Sequence, residues 1–111
     1  MRVAQVIGKL AAAGVEAVVN NYYCSMNTER IQFDYFIDED SELAPPQEMI
    51  DRGARYFVVP STRHAAARVR ALTALFRENH YAIVHAHMNT LNLPVLYAAW
   101  RADVPVRISH N

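Results

Sequence analysis

Cysteine is nearly absent from this chain: Cys24 is the only one among 111 residues. One thiol excludes an internal disulfide and a cysteine-rich zinc site, and it suits a reducing compartment. Cys24 falls near the end of an amphipathic stretch with no base beside it, which favours a structural thiol over a nucleophile. Net charge is also missing, because eleven basic residues balance eleven acidic ones. The overall field therefore gives no reason to expect nucleic acid or an anionic membrane as partner. No apolar run approaches membrane-spanning length, and Met1-Arg2-Val3-Ala4-Gln5 lacks the apolar core of a signal peptide. Repeats, low-complexity tracts and linkers are lacking as well. These features together predict a single cytoplasmic domain, at most peripheral to the inner face of the membrane.

What is present is apolar. Hydrophobic residues make up 52% and charged residues 20%, the balance of a folded globular chain rather than a disordered one. Charge is gathered locally: acids run from Asp34 to Glu42, and Arg63, Arg68, Arg70 and Arg77 lie along one later segment. Both clusters read as solvated surface.

Patterning gives five strands, at Arg2–Ile7, Ile31–Ile37, Arg55–Val59, Tyr81–Ala86 and Val104–Ile108, rich in β-branched and aromatic residues. Between them the period changes. Val15, Val18, Val19, Tyr22 and Tyr23 recur at helical spacing from Gly14 to about Met26. A short helix is expected over Gln47–Arg52, opened by Pro45 and Pro46 and closed by Gly53. Ser61 or Thr62 should cap a long helix reaching about Asn79, with Ala65, Val69, Leu72 and Phe76 inward and most arginines outward. Asn89, Thr90 or Asn92 should cap another helix running through Trp100, with Pro94 in its first turn. Alternating strands and helices specify right-handed crossovers and a parallel sheet in a Rossmann-like, three-layer α/β sandwich of order 3-2-1-4-5. That order sets the loops after strands one and four side by side, where open α/β sheets bind ligands.

Two candidate regions meet there. Gly8 to Gly14 joins a strand to a helix, so it could offer amides to a phosphate. It could equally be a tight turn that lets the helix pack close to the sheet. It matches neither G-x-G-x-x-G nor G-x-x-x-x-G-K-[ST], since no glycine lies between the two and Val15 follows Gly14. The second region is Tyr81 to Asn89, apolar at its start and nitrogen-bearing at its tip. His85 and His87 share one face of the strand, with Asn89 following. With His110 they could supply three metal ligands, but a catalytic site needs all three to converge, and no carboxylate or cysteine sits at supporting spacing. Hydrogen bonding to a hydroxyl-rich or phosphorylated ligand is the preferred reading, with no metal. A core histidine satisfied by backbone is the stronger alternative for His85, which lies deeper in the strand. His87 at the tip is the better functional candidate, and His64 and His80 are assigned no role.

Arg2-Val3-Ala4-Gln5-Val6-Ile7-Gly8, Gly14-Val15-Glu16, Asn21-Tyr22-Tyr23 and Ile31-Gln32-Phe33-Asp34-Tyr35 resemble the amino-terminal domain of family 4 retaining glycosyltransferases, of the exopolysaccharide and capsule type. Val84-His85-Ala86-His87-Met88-Asn89-Thr90-Leu91 and Arg101 to Asn111 continue the resemblance, so it spans essentially the whole chain in order. It implies a two-domain enzyme moving a sugar from a nucleotide-sugar donor to a saccharide or lipid-linked acceptor, without metal or other cofactor. The amino-terminal domain would hold the acceptor. Gly8, Ala13, Gly14 and Glu16 would form the loop near the donor diphosphate, with Ala13 where the family usually has glycine. His87 would be the catalytic histidine of a His-x-His pair, donating hydrogen bonds where charge develops. His85, Asn89 and His110 would line the acceptor and sugar. Ala82 replaces an aspartate common in the family. The resemblance also implies a truncated chain lacking the donor-binding domain, inactive alone and able to self-associate through the face left exposed. A non-catalytic binding module or remnant of the same fold is the alternative. A flavodoxin-like or receiver-like domain explains the pattern less well, since a receiver wants acids where the first strand ends in Ile7-Gly8.

Overall fold

In the computed structural model, residues 1–8, 31–41, 47–88 and 91–110 are described. Their elements run β1 (Arg2–Gly8), β2 (Gln32–Asp38), α1 (Gln47–Asp51), β3 (Arg55–Val59), α2 (Ala65–Asn79), β4 (Ile83–Ala86), α3 (Asn92–Arg101) and β5 (Val106–Ser109). The helix predicted from Gly14 to Met26 lies outside the described residues.

All four pairings are parallel and give the predicted order β3-β2-β1-β4-β5. β1 is the centre: Val3 faces Phe33 of β2 on one side and Ile83 of β4 on the other. The chain lays β2 and β3 on one side of β1 and then crosses to β4 and β5 on the other, so the crevice opens at the carboxyl ends of β1 and β4.

Alternation along the strands divides the core in two. Ala4, Val6, Phe36, Val84 and Ala86 face one way and pack against Leu72 and Phe76 of α2 and Val95, Ala98 and Ala99 of α3. Phe36 anchors this layer, stacked on Phe57 at 5.2 Å and edge-on to Phe76 at 5.2 Å and Tyr81 at 5.8 Å. Each such pair adds about 0.5–1.5 kcal/mol beyond the area it buries. Val3, Ile7, Phe33, Tyr35, Ile37 and Ala54 form the core of the other face.

Several expectations are corrected. Neither charge cluster is simply solvated surface: Asp34 and Asp38 are 0% and 3% exposed, and Arg68 is buried on the inward face of α2. Arg68 bonds Asp38, the Pro60 carbonyl (2.9 Å) and Met88 Sδ (3.0 Å), so the arginine is inward because it neutralises a strand-end carboxylate. Ala65, expected inward, is exposed. Neither Ser61 nor Thr62 caps α2. The Ser61 carbonyl accepts from the His64 amide (3.0 Å), and this turn delays the helix until His64 stands at the N-cap. His80 ends it in a left-handed conformation, its amide donating to the Phe76 carbonyl. β4 and β5 each begin two residues later than expected. Tyr81 hydrogen-bonds Asp34 instead of entering β4, and the Val104 amide closes on Ala99 of α3. Pro94 does lie in the first turn of α3.

Candidate functional site

The polar tip of β4 is fixed from three sides. The His87 amide donates to the Val6 carbonyl at 3.0 Å, prolonging the β1–β4 pairing past the strand's end. The His110 amide does the same for β5 by donating to the Ala86 carbonyl at 2.9 Å. Asn92, at the start of α3, joins the two: its Oδ1 accepts from the Met88 amide (2.6 Å), and its Nδ2 donates to Ser109 Oγ (2.8 Å) and the His110 carbonyl (3.3 Å).

Register then brings the imidazoles together. His85 and His87 project from one face of β4, and β5 sets Ile108 opposite His85, so His110 arrives level with His87. Ring centroids lie 3.9 Å apart for His85 and His87, 5.4 Å for His85 and His110, and 5.3 Å for His87 and His110. The convergence that the sequence left as a condition for metal ligation is therefore met.

Burial reverses the expected ranking of the pair. His87 is 8% exposed, whereas His85, deeper in the strand, is half-buried. The reason is lateral: His85 sits beside β5, an exposed edge strand, while His87 leans toward Gln5 of β1. Gln5 Oε1 stands 2.7 Å from His87 Nε2, which assigns the proton to Nε2. Nδ1 is then a bare lone pair, buried and without a hydrogen-bond partner among the described residues. Donation from His87, as the resemblance implies, would need the Gln5 amide turned over. As it stands, Nδ1 is an acceptor.

Burial, followed by the neighbouring His85 and His110, lowers the His87 pKa to about 4. His85 is lowered too, by burial first and then by His110. Both are neutral at pH 7 and able to accept a hydroxyl's hydrogen bond.

Gly8 closes β1 with φ +88, a conformation that side chains rarely adopt. A Cβ there would lie 2.8 Å from Met88 Cε and 3.8 Å from Asp38 Oδ2. Gly8 therefore shares the crevice with the residue after His87. Of the other predicted site residues, Ala13, Gly14, Glu16 and Asn89 lie outside the described residues.

Gln5, Asn92, Asp38 and Arg68 complete the crevice and were not singled out from the sequence. The signal was available for Gln5, a polar residue between apolar neighbours inside β1, and less so for Asp38, which ends β2 at the edge of an acidic run. Nothing in the pattern separates Asn92 from an ordinary cap.

Among the described residues, no helix is long and apolar enough to cross a membrane. The model of the Glycosyl transferase 4-like domain matches residues 2–110. "Putative glycosyltransferase EpsF" of Bacillus subtilis (strain 168) is 32% identical over 113 aligned residues, covering 99% of this chain and 29% of that protein. The chain thus spans less than a third of that relative's length. A parallel sheet of this order, with its polar residues gathered at the carboxyl edge, agrees with the match, and the chain belongs to the Glycosyl transferase 4-like domain family.

Proposed function

We propose that this chain is the acceptor-side part of a glycosyltransferase that moves a sugar from a nucleotide-sugar donor to a saccharide or lipid-linked acceptor in surface polysaccharide synthesis. The observation carrying this reading is the unpartnered, buried Nδ1 of His87, flanked by His85 and His110 at the carboxyl edge of the sheet. A neutral nitrogen held by Gln5 suits a sugar hydroxyl, since it accepts the hydroxyl proton's hydrogen bond without demanding charge nearby. His85, His110 and Asn89 would contact the sugar. Gly8, Ala13, Gly14 and Glu16 would approach the donor diphosphate. The similarity to part of a putative glycosyltransferase, EpsF, supports the transferase part of this reading, and the nucleotide-sugar-binding domain is what the family resemblance implies.

Two measurements test the reading. Titration of the purified chain with oligosaccharides should shift the His85, His87 and His110 side-chain NMR signals, whereas saturating saccharide that leaves all three unmoved rejects it. The 111-residue chain alone should show no turnover of any nucleotide sugar, and measurable turnover would overturn the assignment to the acceptor side.

One observation favours a second reading. Leu93, Tyr97 and Trp100 form an exposed apolar stripe on α3, with Leu93 75% and Trp100 60% exposed. A non-catalytic interaction module would use that stripe to associate with itself or another chain. Concentration-dependent sedimentation without any saccharide response would favour it.

A further inference from the structure

Three imidazoles meet at the carboxyl edge of the sheet, with no carboxylate among them in the described residues. One ring nitrogen from each of His85, His87 and His110 lies within 4.8 Å of the other two. A tetrahedral zinc ion with Zn–N bonds of about 2.0–2.1 Å requires ligand nitrogens about 3.4 Å apart. The rings must therefore close by no more than about 1.5 Å around such an ion. His110 is exposed and His85 half-buried, so both have room to rotate, while buried His87 provides the fixed point.

A second, independent observation concerns His87 alone. Its Nδ1 is buried without a hydrogen-bond partner among the described residues, although leaving such a group unpaired costs about 1–3 kcal/mol. Its Nε2 meanwhile is held by the Gln5 amide oxygen at 2.7 Å. One nitrogen bound to an oxygen acceptor and the other bare is the state of a histidine prepared to ligate, because the outer hydrogen bond fixes both tautomer and ring orientation.

We propose that His85, His87 and His110 form a binding site for a divalent transition metal, best suited to zinc, with Gln5 as the positioning residue behind His87. Three imidazole ligands favour zinc, copper or nickel over magnesium or calcium, which want oxygen ligands. Three protein ligands leave the fourth tetrahedral position for water. The site does not depend on the glycosyltransferase reading, since a chain with no transfer activity would bind the ion equally well.

Calorimetric titration of the untagged, chelator-treated chain with zinc chloride, paired with long-range proton–nitrogen NMR of the histidines, tests the site. Saturation is expected at one equivalent, with the ring nitrogens of His85, His87 and His110 shifted and those of His64 and His80 unmoved. Magnesium should give no response. His110→Ala, a change at an exposed position, should weaken zinc binding at least roughly tenfold with the circular dichroism spectrum retained, and Gln5→Leu should weaken it about 10- to 100-fold. The absence of saturation up to about 100 μM zinc, far above the range of protein-built zinc sites, would overturn the proposal. So would zinc affinity unchanged in both His110→Ala and His85→Ala, which marks an adventitious ion only. Zinc binding, with no saccharide response from the zinc-free chain, sinks the transfer reading and leaves this site standing; a saccharide response from the zinc-free chain with no zinc binding does the reverse.

Discussion

Two buried polar clusters, around Asp34 at one end of the sheet and around His87 at the other, are treated in opposite ways. At the amino end, Asp34 is enclosed and every oxygen is used. Arg2 donates to Oδ1, joined by Arg55 Nε at 3.2 Å, while Oδ2 accepts from Arg55 Nη2 and the Tyr81 hydroxyl, each at 2.6 Å. The pKa of Tyr81 is raised, by burial first and then by its bond to Asp34, and that of Arg55 is raised chiefly by the same carboxylate. At the carboxyl end, His87 is nearly as buried yet keeps one nitrogen unpaired, with two more imidazoles beside it. The first arrangement holds strands together. The second leaves a buried lone pair unused among the described residues, at some cost to stability. A saturated network and an unsaturated one thus stand at opposite ends of β4, and only the unsaturated one has chemistry to offer.

Substitutions should separate the two ends. Asp34→Ala has the largest expected effect, since it strands two arginines and a tyrosine hydroxyl. A loss of about 3–5 kcal/mol is expected in urea unfolding, a large share of a domain's stability. A loss below about 1 kcal/mol would mean the amino-end network is not structural.

Acid should come next, and it acts at the other end. The folded pKa of His87 is about 4 against 6.5 for the free group, so between those values the unfolded chain binds the additional proton. The histidine's contribution is complete above pH 6.5 and disappears as pH falls toward 4, a loss on the order of 3 kcal/mol. Among the described residues, the groups facing His87 are Gln5, His85 and His110. Urea midpoints of the native chain that are flat from pH 7 to 5 would contradict the assignment of a neutral, desolvated ring.

Gly8→Ala should cost about 1–2 kcal/mol, through positive φ and contact with Met88. Thermal unfolding within a degree of the native chain would show that the crevice floor can relax. The smallest effect is expected of the double change Gln5→Leu with His87→Leu, which removes both partners of a buried bond together. Stability should be unchanged or higher by up to about 1 kcal/mol, while saccharide response is lost. Marked destabilisation would mean that the carboxyl end, like the amino end, is built for holding.

Sheet order was legible because β-branched and aromatic runs alternating with helical periods leave few topologies, and because β1 reads as a central strand. Ion pairing was not. Asp34 and Asp38 lie in Gln32–Asp38, QFDYFID, where apolar neighbours already signalled burial, but a run of acids continuing through Glu42 drew them toward the surface reading. Their partners Arg2, Arg55 and Arg68 are separated from them by 32, 21 and 30 residues, distances at which local patterning carries no information. At the site, spacing alone put His85 and His87 on one face, and strand order brought His110 near. The tautomer of His87 was beyond reach, because it depends on Gln5, 82 residues away and on a different strand. Cap prediction failed at Ser61 for a simpler reason: the backbone made a turn of its own before the hydroxyl could serve the helix.

Asn92 is small, buried and easily read as an ordinary helix-start residue, yet it acts as a cross-brace. Its oxygen grips the chain leaving β4 and its nitrogen grips the end of β5, while its backbone belongs to the first turn of α3. Three parts that would otherwise flex separately are joined at one point. The backbones beside His87 and at His110 are therefore tied to the start of the helix, while the exposed His110 ring stays free to turn about its own side-chain bonds.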